Sequence, residues 1–411
     1  MRILLISLGT QGDIEPFLSQ AALLEAEGHE IHCLFPEQFR TLVIELGYGF
    51  SGFDARFLEL LTSDFGKAFL GGEGSFLEKG RNFFKLIKAS FKLQATLINQ
   101  QKQVLFEVDP DRVFFHPKAV YCLLAAFTAP TKFIQLSPLP CILHAHQDFP
   151  HLGLSKFKPF NSKWNILSYR IIQQIKYLAI WKYLKPHRSD FSELSISKKS
   201  LAAFECNGMT TWYQISPTLF PKPTYWPENA LVTGYITRNQ KQDYIPDYEL
   251  VDWLKKYPKA ILLTFGSMVN HHPEQISEVI LNTLEKHQIP TIVNLSWGGL
   301  VRTKTSSDLF FFVEKIPYDW ILPQLYGIIH HGGSGTTHSA AKAGNVQLLV
   351  PHIMDQYFWN RLVANLGLGP LGIPISNLKP KSFEKVVLEF WNRKEFKKKA
   401  AEIALKIEHE H

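Results

Sequence analysis

The residues best suited to chemistry form one continuous run, His330-His331-Gly332-Gly333-Ser334-Gly335-Thr336-Thr337. The run follows an apolar segment, 327–330, that is typical of a buried strand, and it precedes a helical pattern that Gly344 closes. Its glycines let the backbone approach a ligand closely, and its threonines can cap the helix and donate hydroxyls. Because amides and the positive end of the helix dipole would face the turn, the run predicts an anion site best suited to a diphosphate.

His331 would donate a hydrogen bond to the phosphate and stabilise charge on the leaving group. The alternative is a purely structural strand-to-helix turn, but such a turn has no use for an imidazole in front of it. Two other phosphate motifs are excluded. The chain has no Gly-x-x-x-x-Gly-Lys sequence, and Gly9-Thr10-Gln11-Gly12 lacks the Gly-x-Gly-x-x-Gly pattern of dinucleotide sites.

A second polar pair, Asp355 and Gln356, follows the next predicted strand, 347–350. The carboxyl ends of parallel strands meet at one edge of a sheet, so this pair is expected close to the glycine run. A carboxylate beside an amide can bridge neighbouring sugar hydroxyls, since one accepts hydrogen bonds and the other also donates them. The pair therefore predicts a sugar-binding site next to the diphosphate.

The elements that would position these residues repeat a β/α rhythm twice. In the first half, strands are predicted at 3–8, 31–35, 112–115 and 132–136, with mostly helical pattern over 58–108. After the proline cluster of 216–227, strands are predicted at 260–265, 291–295, 310–312, 327–330 and 347–350. We therefore expect an α/β protein of two Rossmann-like domains, 1–215 and 236–411, which are joined by a linker over 216–235 and face each other across a cleft.

Composition narrows the class of protein. Hydrophobic residues make up 45% of the 411 residues and charged residues 20%, which is typical of a globular chain. No basic block or motif indicates nucleic-acid binding. No secretory signal and no apolar run of membrane-spanning length stand out, so we expect a cytoplasmic protein. Scattered cysteines fit buried thiols in a reducing compartment: Cys33, Cys122, Cys141 and Cys206.

The segment 161–184 is predicted to be a helix whose apolar positions line an acceptor cleft or the core: Trp164, Ile171, Ile175, Leu178 and Trp181. Weak peripheral contact with anionic lipid is the alternative, because basic and aromatic residues mix in Lys163–Arg188. Thirty-one phenylalanines, concentrated in the first half, would suit a wide apolar acceptor pocket as well as a core.

Together these motifs resemble the donor site of family 1 glycosyltransferases, in the variant of sterol 3β-glucosyltransferases and bacterial antibiotic glycosyltransferases. The resemblance is carried by segments at both ends of the chain: Gly9–Asp13 with Pro16, Phe265-Gly266-Ser267, Trp297–Leu300, Ile316–Pro323, His330–Thr337, Gly344, Pro351, Asp355-Gln356 and Phe358-Trp359. It fades between Ser51 and Asn207, where family members choose their acceptors. It implies a GT-B fold and inverting transfer that needs no metal and no cofactor beyond the UDP-sugar co-substrate.

The resemblance also assigns roles to residues. It implies that the diphosphate is held by Ser267, His331, Gly333, Ser334, Gly335 and Thr336, and the sugar by Asp355 and Gln356. Trp297 and Ile316 would lie near the nucleoside. Plant members place a ribose-binding Glu where this chain has Ser339, which loosens the expected base preference. Members usually add a last helix that returns to the first domain, and no such segment is recognisable before His411.

Inverting transfer needs a base for the proton of the acceptor hydroxyl, and Asp13 occupies the position of the base in the resembling enzymes. Its alternative role is a helix N-cap in front of Ile14. A free Asp has a pKa of about 3.9, so a poised base would need burial or a neighbouring carboxylate. His116, His144 and His146 are the other candidates. Each is more suited to a structural role, but His116 and His144 could line the acceptor pocket.

Asp109 and Asp111 resemble a metal-binding Asp-x-Asp, yet Pro110 between them and the lack of further ligands favour a turn. The sequence thus predicts an inverting transferase that moves a hexose, expected to be glucose, from a UDP-sugar to a small apolar alcohol such as a sterol, polyketide, aryl or lipid alcohol. The alternatives are a nucleotide-sugar epimerase of GT-B fold and a non-catalytic helper that resembles glycosyltransferases.

Overall fold

The structure is a computed structural model that describes residues 1–54, 93–191, 196–238, 244–268, 270, 272–295, 299–303 and 307–410. The chain forms two compact units. The first contains the described residues of 1–215 together with 220–238, and the second contains those of 216–219 and 239–410. Of the predicted linker, 216–219 thus groups with the second unit and 220–235 with the first.

The first unit is built on a parallel sheet of seven strands: β1 Arg2–Ile6, β2 Glu30–Pro36, β3 Gly49–Phe53, β4 Arg112–Phe115, β5 Phe133–Ser137, β6 Thr211–Tyr213 and β7 Ala230–Val232. The order across the sheet is β3-β2-β1-β4-β5-β6-β7. The helices around it include α1 Gln11–Ala26, α2 Arg40–Glu45, α3 Val120–Thr128, α4 Ser162–Leu184 and α5 Lys198–Asn207. Residues 93–108 are also helical.

The apolar run of β1 explains why this sheet lies between helices. Ile3 and Leu5 pack into the core on the face covered by α1, whereas Leu4 and Ile6 pack into the core on the face covered by α3. Successive side chains of a strand point to opposite faces, so a strand buried on both faces needs apolar residues at every position.

The second unit repeats this plan on five parallel strands: β8 Ile261–Thr264, β9 Thr291–Asn294, β10 Phe310–Val313, β11 Gly327–His330 and β12 Val346–Leu349. Their order is β10-β9-β8-β11-β12. Its helices include α6 Tyr248–Lys256, α7 Pro273–Lys286, α8 Tyr318–Ile321, α9 Ser334–Lys342, α10 Asp355–Asn365, α11 Pro380–Asn392 and α12 Lys394–Glu408. Each unit therefore has the doubly wound, Rossmann-like topology that the sequence predicts.

The predicted strands are all present, within two residues at their ends, but β3, β6 and β7 were not predicted. The helical prediction for 58–92 lies outside the described residues. The turn predicted around Pro110 is found just before β4, where the Asp111 carboxylate accepts a hydrogen bond from the Arg2 amide (2.7 Å). Three cysteines are buried as predicted, and Cys206 is half-buried.

The core interpretation of α4 is wrong at four of its five positions, whereas the acceptor-cleft interpretation stays a prediction. Its predicted core positions Trp164, Ile171, Ile175 and Leu178 are 50–60% exposed. The helix instead buries the other face, which carries Asn165, Ser168, Tyr169, Tyr177, Ile180 and Leu184. Polar residues take part in that contact because they hydrogen-bond with the preceding loop: Asn165 Nδ2 donates to the Gln147 carbonyl (2.8 Å). No helix in the described part of the chain is long and apolar enough to cross a bilayer.

Candidate functional site

Each sheet has one point at which the strand order reverses. In the first unit β1 lies between β2 and β4, and in the second unit β8 lies between β9 and β11. Connections leave such a pair of strands in opposite directions, so a crevice opens at their carboxyl ends, where ligands of doubly wound proteins bind. Asp13 follows β1, and the glycine run follows β11. The sequence therefore places its chemistry at the switch point of each unit.

In the second unit the strand-to-helix bend is short and its backbone is well defined. β11 ends at His330, and α9 begins at Ser334. The Thr337 amide and hydroxyl both donate to the Gly333 carbonyl, at 3.0 and 2.9 Å. The positive end of the α9 dipole therefore lies at the bend, which favours an anion there.

His331 lies inside this bend, held between two glycines. A Cβ added at Gly333 would lie 2.5 Å from His331 Nε2, and one added at Gly266, where φ is +57°, would lie 3.0 Å from Cε1. The imidazole thus fills the space between the loops after β8 and β11. Any side chain at Gly333 would displace it, which explains why this position needs glycine.

The His331 ring is buried and neutral. No described atom forms a hydrogen bond with Nδ1, although this atom is shielded from solvent. Burial, followed by the neighbouring His330 and His352, lowers the pKa of His331 well below its ordinary value. At neutral pH the ring therefore carries one N–H donor and no charge. A buried polar atom without a partner is rare in proteins, and a ligand is one of the groups that can satisfy it.

A network that sequence reasoning missed holds the bend in place. The Gly332 amide donates to His330 Nδ1 (3.2 Å), so the ring hydrogen is on Nε2, which donates to Gln347 Oε1 (3.1 Å). Gln347 Nε2 in turn donates to the Thr337 carbonyl (3.2 Å). His330 and Gln347 are fully buried. The visible signal was Gln347, a polar residue inside an otherwise apolar strand.

The predicted sugar-binding pair begins α10. Gln356 Oε1 accepts hydrogen bonds from the amides of His352 (2.7 Å) and Ile353 (3.1 Å), while Nε2 donates to Met268 Sδ at 3.4 Å. The side-chain oxygen of Gln356 therefore holds the backbone of the loop after β12 in place. Its amide group is the part that can still donate to a ligand. Asp355 is the first residue of the helix and is half-buried.

The switch point of the first unit is lined by charged side chains. Asp13 Oδ1 accepts a hydrogen bond from Lys118 Nζ (2.7 Å), and Oδ2 accepts one from the Thr10 amide (3.0 Å). Thr10, not Asp13, is the N-cap of α1, so the predicted capping role is corrected: Asp13 is the third helical residue and returns a bond to the cap. A Cβ at Gly9 would lie 2.0 Å from Asp13 Oδ2, and φ there is +139°, so this turn requires glycine.

His116, from the loop after β4, completes this cluster. Its Nδ1 accepts a hydrogen bond from the Lys118 amide (3.1 Å), so the ring hydrogen of the neutral form is on Nε2. Nε2 lies 3.3 Å from Asp13 Oδ1, but it is not aligned for a hydrogen bond. Burial lowers the pKa of His116. With one nitrogen protonated and the other occupied, His116 is poorly placed to act as the base itself.

Lys118, which the sequence analysis did not single out, sets the charge of Asp13. Burial alone would raise the pKa of Asp13, but the Lys118 ammonium and the nearby His116 outweigh it and lower the pKa below its ordinary value. Asp13 is thus ionised at neutral pH. Lys118 stands three residues beyond the end of β4, at the carboxyl edge of the sheet where Asp13 also lies, and this was the signal available.

Comparison with known proteins agrees with this geometry. Residues 279–409 match the model of the erythromycin biosynthesis protein CIII-like C-terminal domain. The sterol 3-beta-glucosyltransferase UGT80B1 of Arabidopsis thaliana is 29% identical over 421 aligned residues, which cover 100% of this chain and 66% of the relative. The chain therefore spans just under two thirds of the length of that relative.

Two solved structures show the same fold. The glycotransferase of kitacinnamycin aligns with a TM-score of 0.73 at 15% identity, over 100% of this chain and 95% of its own. The glycosyltransferase VinC in complex with dTDP aligns with a TM-score of 0.67 at 16% identity, over 100% and 96%. The chain therefore has the GT-B fold of these glycosyltransferases. In sequence it is similar to sterol 3-beta-glucosyltransferases.

The region matched by the family model covers part of the site. The family model includes the glycine bend and Asp355-Gln356, whereas Asp13 and Ser267 lie before its first residue. The alignment with the plant relative covers the whole chain, including the segment that contains Asp13. Within the described residues, no group of three or more His, Cys, Asp or Glu could hold a metal ion.

The remaining predicted residues of the GT-B protein differ in their surroundings. Ser267 is half-buried in the loop after β8, beside Gly266. Ile316 is buried in the hydrophobic core that also contains Leu262 and Leu322. Trp297 lies outside the described residues. The roles of all three toward the nucleotide stay predictions.

His144 has the environment of a structural residue. Its Nδ1 accepts a hydrogen bond from the Tyr213 hydroxyl (2.7 Å), and its Nε2 donates to the Cys206 carbonyl (2.9 Å). The ring also packs against Trp226, with centroids 5.3 Å apart. Both nitrogens are therefore occupied, and a contact between His144 and an acceptor would be limited to the ring edge.

A second histidine supports α9 from behind. His338 Nδ1 donates to the Ser334 carbonyl (2.7 Å), and its Nε2 accepts from the Ser216 amide (3.1 Å). The Ser216 hydroxyl donates to Glu410 Oε1 (2.6 Å). The first turn of the helix at the glycine bend is thus connected, through one buried ring, to Ser216 and to the end of the second unit.

Proposed function

We propose that the protein transfers glucose from UDP-glucose to the hydroxyl of a small apolar alcohol of the sterol class, with inversion at the anomeric carbon. One observation carries the proposal: a neutral, buried imidazole with an unsatisfied nitrogen lies at the glycine bend where the α9 dipole begins. This bend sits at the switch point of a Rossmann-like unit, the place where such folds bind nucleotides.

For the donor, the proposal assigns the diphosphate to the bend. The first turn of α9 would supply amides and the positive end of its dipole, and His331 would supply a neutral N–H. Because charge on the diphosphate grows as the sugar departs, these groups stabilise the transition state more than the bound substrate. The sugar would contact Asp355 and the Gln356 amide group.

The identity of donor and acceptor rests on relatives. The plant relative is named for glucose transfer to sterols, and VinC was solved with dTDP. We assign UDP-glucose because the similarity to sterol glucosyltransferases extends over the whole chain. The position at which plant family 1 members contact ribose holds Ser339 here, so a looser choice between uracil and thymine nucleotides is expected.

In the proposed reaction the acceptor oxygen attacks the anomeric carbon while the bond from that carbon to the diphosphate oxygen breaks. The acceptor proton passes to the Asp13 carboxylate, and UDP leaves with the bonding electrons. Asp13 is ionised and can therefore accept a proton. Its bond to Lys118 weakens it as a base, so the proposal requires that the approaching hydroxyl replace or loosen this contact.

The experiment is a transfer assay with a panel of UDP-, dTDP- and GDP-sugars and hydroxylated apolar acceptors, with EDTA present throughout. The expected product is a β-glucoside of a sterol or similar alcohol, formed fastest with UDP-glucose. Conversion of UDP-sugar into its epimer without acceptor would instead show an epimerase. Binding of UDP-glucose without any product across the panel would favour a non-catalytic helper.

A further inference from the structure

The outer surface of α4 is apolar along its length. Trp164, Ile171, Ile175 and Leu178 are 60%, 50%, 59% and 58% exposed. Their spacing of seven, four and three residues places them on one side of the helix. We call these four residues the α4 face. Because the opposite side of α4 is buried in its own unit, the α4 face is not needed to hold the helix on the protein.

Two phenylalanines extend the α4 face beyond the start of the helix. Phe157 and Phe160 are 57% and 53% exposed. Asn165 fixes the second of them, because its Oδ1 accepts from the Phe160 amide and its Nδ2 donates to the Phe160 carbonyl, both at 3.0 Å. The backbone of Phe160 is therefore held in place four residues before Trp164. Large exposed apolar patches on soluble domains mark interaction sites.

The charge around this patch has a single sign. Residues 149–189 contain eight Lys or Arg and no Asp or Glu, while all other residues of the chain carry a net charge of −1. Lys176 is neutralised by the buried Glu205. Cations that remain exposed around the patch include Lys158, Lys163, Arg170 and Lys185. The segment that carries this exposed apolar surface therefore also carries the excess positive charge of the chain.

We propose that the α4 face, with Phe157 and Phe160, docks on the surface of an anionic lipid bilayer. An apolar helix surface rimmed by lysine and arginine, with aromatic residues at one end, has the features of a helix that lies in the plane of a membrane interface. The apolar side chains would enter the boundary between headgroups and acyl chains. The surrounding cations would contact lipid phosphates and carboxylates.

The charge pattern argues against a second copy of the chain as the occupant. A two-fold contact through the α4 face would bring the same cations against one another, without a single carboxylate in 149–189 to pair with them. An anionic bilayer would bury the apolar residues of the α4 face and place anionic headgroups next to the surrounding cations. The inference does not depend on the proposed reaction, although docking here would bring the protein to apolar alcohols dissolved in the membrane.

The test is sedimentation of the full chain with vesicles of phosphatidylcholine, with and without phosphatidylserine. We expect binding to the anionic vesicles that weakens as salt rises. The variant Ile171→Ser/Ile175→Ser should bind at least about tenfold more weakly, since it removes two apolar anchors. Lys163→Glu/Arg170→Glu should bind at least about 25-fold more weakly, because each of the two lost cations contributes about fivefold near an anionic surface.

The matched control is Leu371→Ser/Leu405→Ser, which removes two side chains of similar exposure (58% and 60%) from the second unit. It should bind vesicles like the wild type. Equal binding by all variants, or no binding by the wild type, would overturn the proposal. So would a wild-type dimer that the Ile171→Ser/Ile175→Ser change dissociates, because the α4 face would then be a contact between copies. Binding is measured without donor or acceptor, so its failure leaves the proposed reaction untouched.

Discussion

The two switch points of the protein have the same topology and opposite chemistry. After β1 and β4, a carboxylate, an ammonium and an imidazole form one cluster: Asp13, Lys118 and His116. After β8 and β11, the corresponding space holds the neutral His331 ring, two glycines and the start of α9. The switch point of the first unit holds charged side chains, whereas that of the second unit presents backbone dipoles and the N–H of the His331 ring.

This difference shows how one fold serves two tasks. The strand order decides where a ligand can bind, and the residues at the carboxyl ends decide which ligand it is. The positive end of the α9 dipole favours an anionic ligand, whereas the Asp13 carboxylate does not. Asp13 is an ionised carboxylate, the proposed acceptor of the hydroxyl proton, whereas His331 is a neutral ring whose proposed role is to donate its N–H. Proton handling and anion binding are thus expected to respond to separate mutations.

The strongest test of that separation is Asp13→Asn. Asparagine keeps an oxygen for the Thr10 amide but cannot accept the proton, so transfer should fall by about 10²- to 10⁴-fold. UDP affinity, measured by calorimetry, should stay within a few-fold. Glu25→Gln, which removes a carboxylate farther along α1, is the control and should transfer sugar normally. A wild-type rate in Asp13→Asn would show that the first switch point does not handle the proton.

His331→Ala should have the converse effect on the second switch point. Loss of a hydrogen bond to a charged group costs about 1.5–3 kcal/mol, so UDP-glucose affinity should fall by about 10- to 100-fold. Turnover should fall with it. In the wild type, affinity for UDP-glucose should be constant between pH 6 and 8, because the lowered pKa keeps the ring neutral. Affinity that rises as pH falls through this range would mean that His331 binds as a cation.

Gly333→Ala tests whether the bend acts through the position of His331. The new methyl group would lie 2.5 Å from Nε2 and must displace the ring, so donor affinity should fall by about tenfold, in line with overpacking costs of about 1–3 kcal/mol. Gly153→Ala is the control, since its methyl group would meet its nearest atom at 3.4 Å. Unchanged affinity in Gly333→Ala would mean that the ring has no fixed role.

Lys118→Met should give the smallest change at neutral pH and the most informative pH profile. In the wild type the lowered pKa of Asp13 keeps the base ionised, so kcat/KM should lose no activity through Asp13 until the pH falls below 3.8. Without Lys118 the effect of burial remains, so the acidic limb should move to higher pH. Lys132→Met, beside Asp109, should not move it. If the acidic limb does not shift, Lys118 does not set the pKa of the base.

The sequence predicted the parts of the fold that follow from local pattern. Unbroken apolar runs such as Ile3–Ile6 indicate strands buried on both faces, and their spacing indicates the parallel sheets. β3 escaped prediction because it is an edge strand with two glycines and little alternation, Gly49-Phe50-Ser51-Gly52-Phe53. In α4 the period was recognised, but the pattern could not show that Asn165 and Ser168 would take the buried side through hydrogen bonds.

The site was predictable where it lies on one bend and not where it is assembled from distant segments. The glycine run combines strand, turn and helix start within eight residues. The cluster around Asp13 joins two loops about a hundred residues apart, and only the pairing of β1 with β4 brings them together. Internal hydrogen bonds cannot be read from the sequence either. The side-chain oxygen of Gln356, for example, accepts hydrogen bonds from two backbone amides.

The most direct test of the central claim is a crystal structure of the protein with UDP. Our account predicts the diphosphate at the start of α9, within hydrogen-bond distance of the amides of 333–336 and of the His331 ring. A bend left empty, with UDP bound elsewhere or only through its uracil, would contradict the account.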